Sequence, residues 1–179
     1  MKKPAWVEER AAEIEQIIAR YPKKQSAVMP LLHLAQECRG YVAREDMAAI
    51  GEILGLTEAS VESVCTFYSL FYREPVGKYV IHVCNNLTCG LCGSERLVKK
   101  LEELLGIRAG QTTPDGLVTL LVTGECIAAC DGAPAMQVNL EYFLKVNDAR
   151  AEEIVAALRR GEDAAALADR IGQPAVEAR

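Results

Sequence analysis

Long apolar runs are absent from this 179-residue chain. No stretch approaches the roughly 18 consecutive apolar residues that span a bilayer, so direct membrane insertion is not expected. Lys2 and Lys3 stand near the start, but the "PAWVEERAAEIEQ" that follows puts acids where the apolar core of a secretion signal belongs. Blocks of Lys and Arg are missing too, and the formal net charge is −5. Nucleic acid and anionic membranes are therefore not expected as main partners. The chain carries no G-x-G-x-x-G dinucleotide fingerprint and no phosphate-binding P-loop. It has only two histidines, His33 and His82, and neither is placed as a Rieske ligand. Internal repeats and low-complexity tracts are lacking. These absences point to a protein of the reducing cytoplasm that meets a membrane only through partners.

What is present fits a packed domain. Half of the residues are apolar and a quarter are charged, and the length suits one sizeable domain or two small ones. Seven cysteines is a high number for a compartment in which disulfides do not persist, so metal-binding or catalytic roles gain weight. The number is odd, so at least one cysteine is a bystander.

The first 75 residues read as four short helices, a small bundle. Val7, Ala11, Ile14, Ile18 and Tyr21 recur at helical spacing until Pro22. A second helix begins near Met29-Pro30, with an apolar stripe of Val28, Leu31, Leu32, Ala35 and Cys38, and stops at Gly40. Met47, Ile50 and Leu54 mark a third, ended by Gly55. Thr57 caps a fourth that carries Val61, Val64, Cys65, Tyr68 and Phe71. Spacing puts Tyr68 and Phe71 in the core and leaves Leu70 and Tyr72 as candidates for a partner contact. After Pro75 and Gly77 the pattern changes. "KYVIHVC" is a strand, and Ser94 caps a helix with Leu97, Leu101, Leu104 and Leu105 that ends at Gly106. "TTPDG" is a turn, "LVTLLVT", "AMQVN" and "YFLKV" are strands, and Ile154, Val155 and Leu158 lie on a last helix. Residues 76–160 are thus expected to form a compact α/β domain of the α+β kind. Residues 161–179 are read as a mobile or partner-bound tail.

Cys38 and Cys65 fall on apolar stripes and are read as packing residues. Five cysteines remain: Cys84, Cys89 and Cys92 after the first strand, and Cys126 and Cys130 in "GECIAACDGAP" after the second. Cys89 and Cys92 alone form a C-x-x-C of the dithiol-exchange type. Cys89, Cys92, Cys126 and Cys130 have spacings that suit a zinc clip. Cys84, Cys89, Cys92 and one later cysteine would follow the plant-type ferredoxin spacing. Small residues around Cys126 and Cys130 let backbone N–H groups approach an anion such as a cluster sulfur. Two loops at the same end of adjacent strands can bring four thiolates together.

Cys84-x4-Cys89, a gap of 36 residues, and then Cys126-x3-Cys130 resembles the thioredoxin-like [2Fe–2S] ferredoxin family, whose members include the NuoE-type subunit of respiratory complex I. "MPLLHLAQECRGYV", "VESVCTFYSLFYREPVGKY", "GIRAGQTTPDGLVTL" and "CIAACDGAPAMQVN" agree with that family, and the likeness covers roughly residues 20–160. It implies a helical bundle followed by a thioredoxin-like domain, and one [2Fe–2S] cluster on Cys84, Cys89, Cys126 and Cys130. Cys92 matches no ligand position and becomes a spare thiol, and Pro134 falls where such folds often have a cis proline. His82 is read as structural. The resemblance further implies an electron-transfer subunit of a bacterial NADH:quinone oxidoreductase, with NADH and FMN bound by a partner flavoprotein subunit. In this reading the chain is cytoplasmic and peripheral to the inner membrane through the complex. Related subunits occur in NAD-linked hydrogenases and formate dehydrogenases, and a structural zinc module for assembly is the alternative of another class.

Overall fold

The computed structural model describes residues 3–173, which fall into two compact units divided between Pro75 and Val76. In the first unit the described residues form five α-helices: α1 (Ala5–Glu9), α2 (Ala11–Ala19), α3 (Val28–Arg39), α4 (Arg44–Leu54) and α5 (Glu58–Phe67). The single first helix expected from periodicity is broken at Arg10, whose φ of −111° and ψ of 20° leave the helical region. The break changes which face is covered: Trp6 and Ile14 are buried, while Ala11 and Tyr21 are exposed. Helices α3 and α4 end where expected. Gly40 and Gly55 adopt positive φ there, which closes a helix at no side-chain cost. The Thr57 hydroxyl accepts from the N–H of Ser60 and caps α5.

The core of this unit joins Trp6, Leu31, Leu32, Ile50, Val61, Cys65 and Phe71. One buried charge is fully engaged. Asp46 accepts from the indole N–H of Trp6 and the N–H of Ala43, both at 2.8 Å, and lies 3.4 Å from Arg39. Cys65 is buried as expected, but Cys38 is exposed, because α3 leaves the core in its last turn. Tyr68 likewise departs from the core reading: α5 stops at Phe67, and Tyr68 and Phe67 both lie exposed in an edge-to-face pair. Phe71 is buried although it lies beyond the helix. Leu70 and Tyr72, the candidates for a partner contact, are half-buried, and Leu70 packs on the core. Gln36 holds their segment in place, donating to the Leu70 carbonyl at 3.0 Å and accepting from the Tyr72 N–H at 2.8 Å.

The second unit is built on four strands, β1 (Tyr79–Cys84), β2 (Val118–Thr123), β3 (Met136–Val138) and β4 (Glu141–Phe143), in the order β2-β1-β3-β4. Strand β1 is parallel to β2 and antiparallel to β3, and β4 is antiparallel to β3. The mixed sheet with segregated helices is an α+β arrangement. β1 is central and buried along its whole length, as its run of Val, Ile and aromatic residues requires. Helices α6 (Leu87–Leu91), α7 (Ser94–Leu105), α8 (Asp148–Arg159) and α9 (Ala164–Ile171) complete the unit. Ile81, Val83, Leu97, Leu101, Leu120, Phe143, Ile154 and Leu158 share its main core.

Three expectations need correction here. Ser94 does not cap α7. It is the first helical residue, fully buried, and its hydroxyl bonds Asn85 Oδ1 at 2.5 Å, while Gly93 takes the capping position. The last strand covers Glu141–Phe143 rather than the whole of "YFLKV", because Leu144 and Lys145 turn away to bond Gly172 and Gly132. The chain beyond residue 160 is no free tail in its described part: Asp163 caps α9 and Leu167 is fully buried in the core. Residues 174–179 of that expected tail lie outside the described residues.

Candidate functional site

Strand direction sets the site. Because β1 and β2 run parallel, the loops that follow them open at the same edge of the sheet. Cys84 ends β1 opposite Thr123, the last residue of β2, and the N–H of Asn85 bonds the Thr123 carbonyl at 3.0 Å. The first loop carries Cys89 inside α6, and the second carries Cys126 and Cys130. Asn86 ties the loops together: its Oδ1 accepts from the Leu87 N–H at 2.8 Å and its amide donates to the Gly124 carbonyl at 2.7 Å. The end of the second loop is fixed by the N–H of Lys145 bonding the Gly132 carbonyl at 2.6 Å and that of Val146 bonding Pro134 at 2.9 Å. The Ala133–Pro134 peptide is cis.

The four thiols come as two pairs, Cys84 with Cys89 after β1 and Cys126 with Cys130 after β2. Cys84 and Cys89 are 1% and 2% exposed, and the sulfurs of the exposed Cys126 and Cys130 lie 3.4 Å apart. The Cys84 thiol donates across to the second loop, to the Glu125 carbonyl at 3.9 Å. Among the described residues, no group of three or more His, Cys, Asp and Glu side chains surrounds a single metal-sized point. The protein surrounds the sulfurs with donors. Burial pushes the Cys84 thiol up, but the N–H groups of Ile127 and Asn86 and the thiols of Cys89 and Cys126 outweigh it and hold Cys84 below the ordinary thiol range. Burial pushes Cys89 up to about 11, with the Cys84 charge adding to the shift. The bond that Cys130 shares with Cys126 raises Cys130. The N–H of Ala128 points at Cys126 Sγ at 3.3 Å, from a backbone with φ of 60°. The consecutive N–H groups of Ile127 and Ala128 thus act on two different sulfurs, those of Cys84 and Cys126.

This donor set fits an iron–sulfur group. It offers four thiols, and two successive amides to stabilise thiolate and sulfide charge. Cys92 stands apart from the four. It is exposed and lines a groove of about 510 Å³ with Arg96, Pro134 and Lys145. His82 is buried in β1, and burial lowers its pKa below the ordinary value. Three contributors had no signal that spacing could reveal: the Asn86 bridge, the strained Ala128 amide, and Tyr142, whose hydroxyl donates to the Ile127 carbonyl at 2.9 Å. Asn86 does stand where a helix cap follows a strand, which is the one local cue to it.

A cysteine quartet at the end of a small mixed sheet defines a candidate cysteine-ligated centre. The chain belongs to the thioredoxin-like [2Fe–2S] ferredoxin family, whose profile matches residues 14–159, and membership implies a [2Fe–2S] cluster. It is 43% identical over 150 residues to an NADH-quinone oxidoreductase subunit of Rhizobium meliloti (strain 1021), covering 84% of this chain and 89% of that one. It is 40% identical over 152 residues to NADH-quinone oxidoreductase subunit 2 of Thermus thermophilus, covering 83% of each. A third relative, an NADH-quinone oxidoreductase subunit of Mycobacterium tuberculosis, is 41% identical over 147 residues, covering 82% of this chain but 58% of the longer mycobacterial protein. Among solved structures, an NAD+-reducing [NiFe]-hydrogenase in its air-oxidised state shares the fold. The TM-score is 0.63 at 22% identity, over 73% of this chain and 23% of that chain.

Proposed function

We propose that Cys84, Cys89, Cys126 and Cys130 hold one [2Fe–2S] cluster, and that the chain is the electron-transfer subunit of the NADH-oxidising part of a bacterial NADH:quinone oxidoreductase. The observation that carries the reading is the quartet itself: two thiol pairs from two loops, with the amides of Ile127 and Ala128 turned toward sulfur. A [2Fe–2S] group takes two ligands on each of its irons, so paired thiols suit it. A lone zinc needs four donors around one point. When bound, such a cluster takes up and returns a single electron.

The residues divide the remaining work. Cys84 and Cys89 are buried and keep water from one side, while Cys126 and Cys130 face outward, the side from which an electron partner approaches. The amides of Asn86, Ile127 and Ala128 favour the more negative, reduced state, and burial opposes it. Likeness to the family implies that NADH and FMN bind a partner flavoprotein subunit, with one electron exchanged between flavin and cluster, and the lack of nucleotide fingerprints in this sequence agrees with that. The names of relatives at about 40% identity support this complex over a hydrogenase or formate dehydrogenase, since the hydrogenase likeness is one of fold. Among the described residues no helix is long and apolar enough to cross a membrane, which suits attachment to the cytoplasmic face of the inner membrane through the complex.

The test is visible absorption of anaerobically purified protein, with iron and zinc counted in the same sample before and after dithionite. A brown protein with about two irons that bleaches on reduction is expected. Changing Cys84, Cys89, Cys126 or Cys130 to Ser should lower the iron content, and Cys92→Ser should leave it unchanged. A colourless protein with a single zinc would sink the electron-transfer assignment.

A further inference from the structure

The peptide between Ile127 and Ala128 is held at both ends. Its carbonyl accepts from the Tyr142 hydroxyl at 2.9 Å, and its N–H donates to Cys126 Sγ at 3.3 Å. A trans peptide is planar, with C=O and N–H on opposite sides and joined by resonance. A donor at the carbonyl and an acceptor at the amide therefore act on one polarisable unit, and hydrogen bonds chained in this way strengthen one another. The geometry is not the backbone's own preference. Ala128 has φ of 60°, a region that residues other than glycine seldom occupy, so surrounding contacts must maintain it.

Tyr142 is well placed to supply that contact. It lies on β4, where its neighbour Phe143 points into the core and is fully buried, while Tyr142 itself is 42% exposed. Its backbone is fixed by pairing with Gln137 and by the close approach of Gly172, where an added Cβ would lie 2.6 Å from the Tyr142 carbonyl. The ring adds little to the core, so the hydroxyl is the informative part of the side chain.

We infer that Tyr142 is a positioning residue for the iron–sulfur group: its hydroxyl holds and polarises the Ile127–Ala128 peptide so that the Ala128 N–H is presented to the Cys126 sulfur. The inference rests on the reading that Cys126 is a cluster ligand. Reduction adds one electron, and part of the added negative charge resides on the cysteine sulfurs. A stronger N–H donor stabilises that state and raises the reduction potential. Removing the hydroxyl lowers it.

The experiment compares Tyr142→Phe with the unaltered chain, both loaded with cluster, by mediator titration. Iron content should match. The variant should be about threefold to tenfold harder to reduce at a fixed mediator potential, which for a one-electron couple is about 30 to 60 mV. An unchanged midpoint in an equally loaded variant overturns the Tyr142 assignment and leaves the cluster reading intact. A wild-type chain that takes up no cluster overturns both. If only Tyr142→Phe fails to load, amide hydrogen exchange at Ala128 in the cluster-free chain decides. Faster exchange in the variant supports the role, and an unchanged rate removes it.

Discussion

Adding one methyl group at Gly132 should unseat the second cysteine loop. Gly132 lies two residues beyond Cys130 in a short turn and is buried. A Cβ built there would stand 2.7 Å from Leu144 Cβ and 2.8 and 2.9 Å from its two Cδ atoms, against ordinary contact from 3.4 Å. The Cδ atoms can rotate away. The Cβ pair cannot, because the N–H of Lys145 bonds the Gly132 carbonyl at 2.6 Å and holds the two backbones together. Overpacking of this kind costs about 1–3 kcal/mol, and about 2 kcal/mol changes the folded-to-unfolded ratio on the order of 30-fold. Denaturant unfolding followed by circular dichroism reads the loss as a lower midpoint at constant slope. Fluorescence of Trp6, the single tryptophan, reports the first unit. Iron uptake should fall alongside, since the strain is released by moving Cys130. Adding Leu144→Ala removes the two Cδ contacts and leaves the Cβ pair, so it should not restore the loss. Gly132→Ala with unchanged unfolding and full iron uptake would refute the claim that the loop is fixed by this approach.

Two further outcomes follow from the packing and burial of named side chains. Leu167 on α9 is fully buried, so Leu167→Ala should destabilise the second unit by about 2–5 kcal/mol, read by the same denaturation; a change below about 0.5 kcal/mol would mean that α9 is not part of the core. Burial pushes the Tyr72 phenol up to about 12 from its usual 10.0, so the unfolded chain releases this proton first as pH rises. The resulting stability is fully present below pH 10 and is lost as pH climbs to about 12; Trp6-monitored unfolding should therefore fall more steeply across that window in the wild type than in Tyr72→Phe, and parallel curves would count against it.

The elements legible in the sequence are those with a long repeat and a marked end. Helices α3, α4 and α7 each combine an apolar stripe with a closing glycine, and β1 and β2 are unbroken runs of strand-forming residues. Helix α6 has five residues and no repeat to detect, and α9 reads as a tail because alanine and charge dominate it. Cys38 sits at the correct period yet is exposed, because periodicity gives the face of a helix but not where along its length the core ends. At the site, cysteine is conspicuous because few side chains share its chemistry. Tyr142 is not: its role depends on a hydroxyl meeting a carbonyl 15 residues away, across a hairpin that the sequence does not measure.

The arrangement also depends on a property no motif contains, the relative direction of two strands. β2 has six residues, and at about 3.3 Å each it is roughly 20 Å long. Were it antiparallel to β1, the loop bearing Cys126 and Cys130 would open at the far edge, about that distance from Cys84. Register matters as much. Cys84 stands opposite Thr123, and Cys126 follows three residues later. A slip of two residues would carry the second loop about 7 Å along the sheet, beyond the reach of a thiol, and a slip of one would turn the buried face of β2 outward. The pairing is held at both ends: the N–H of Tyr79 bonds the Leu117 carbonyl at 2.9 Å, and that of Asn85 bonds the Thr123 carbonyl at 3.0 Å. At the outset, the N–H of Gly77 bonds the Thr119 hydroxyl at 2.7 Å, and an added Cβ at Gly77 would lie 2.9 Å from the Val118 nitrogen. The cysteine spacing is therefore necessary for the site but not sufficient. The same residues gather only because β1 enters the sheet beside β2 at one register, which Gly77 sets from the opposite end of the strand.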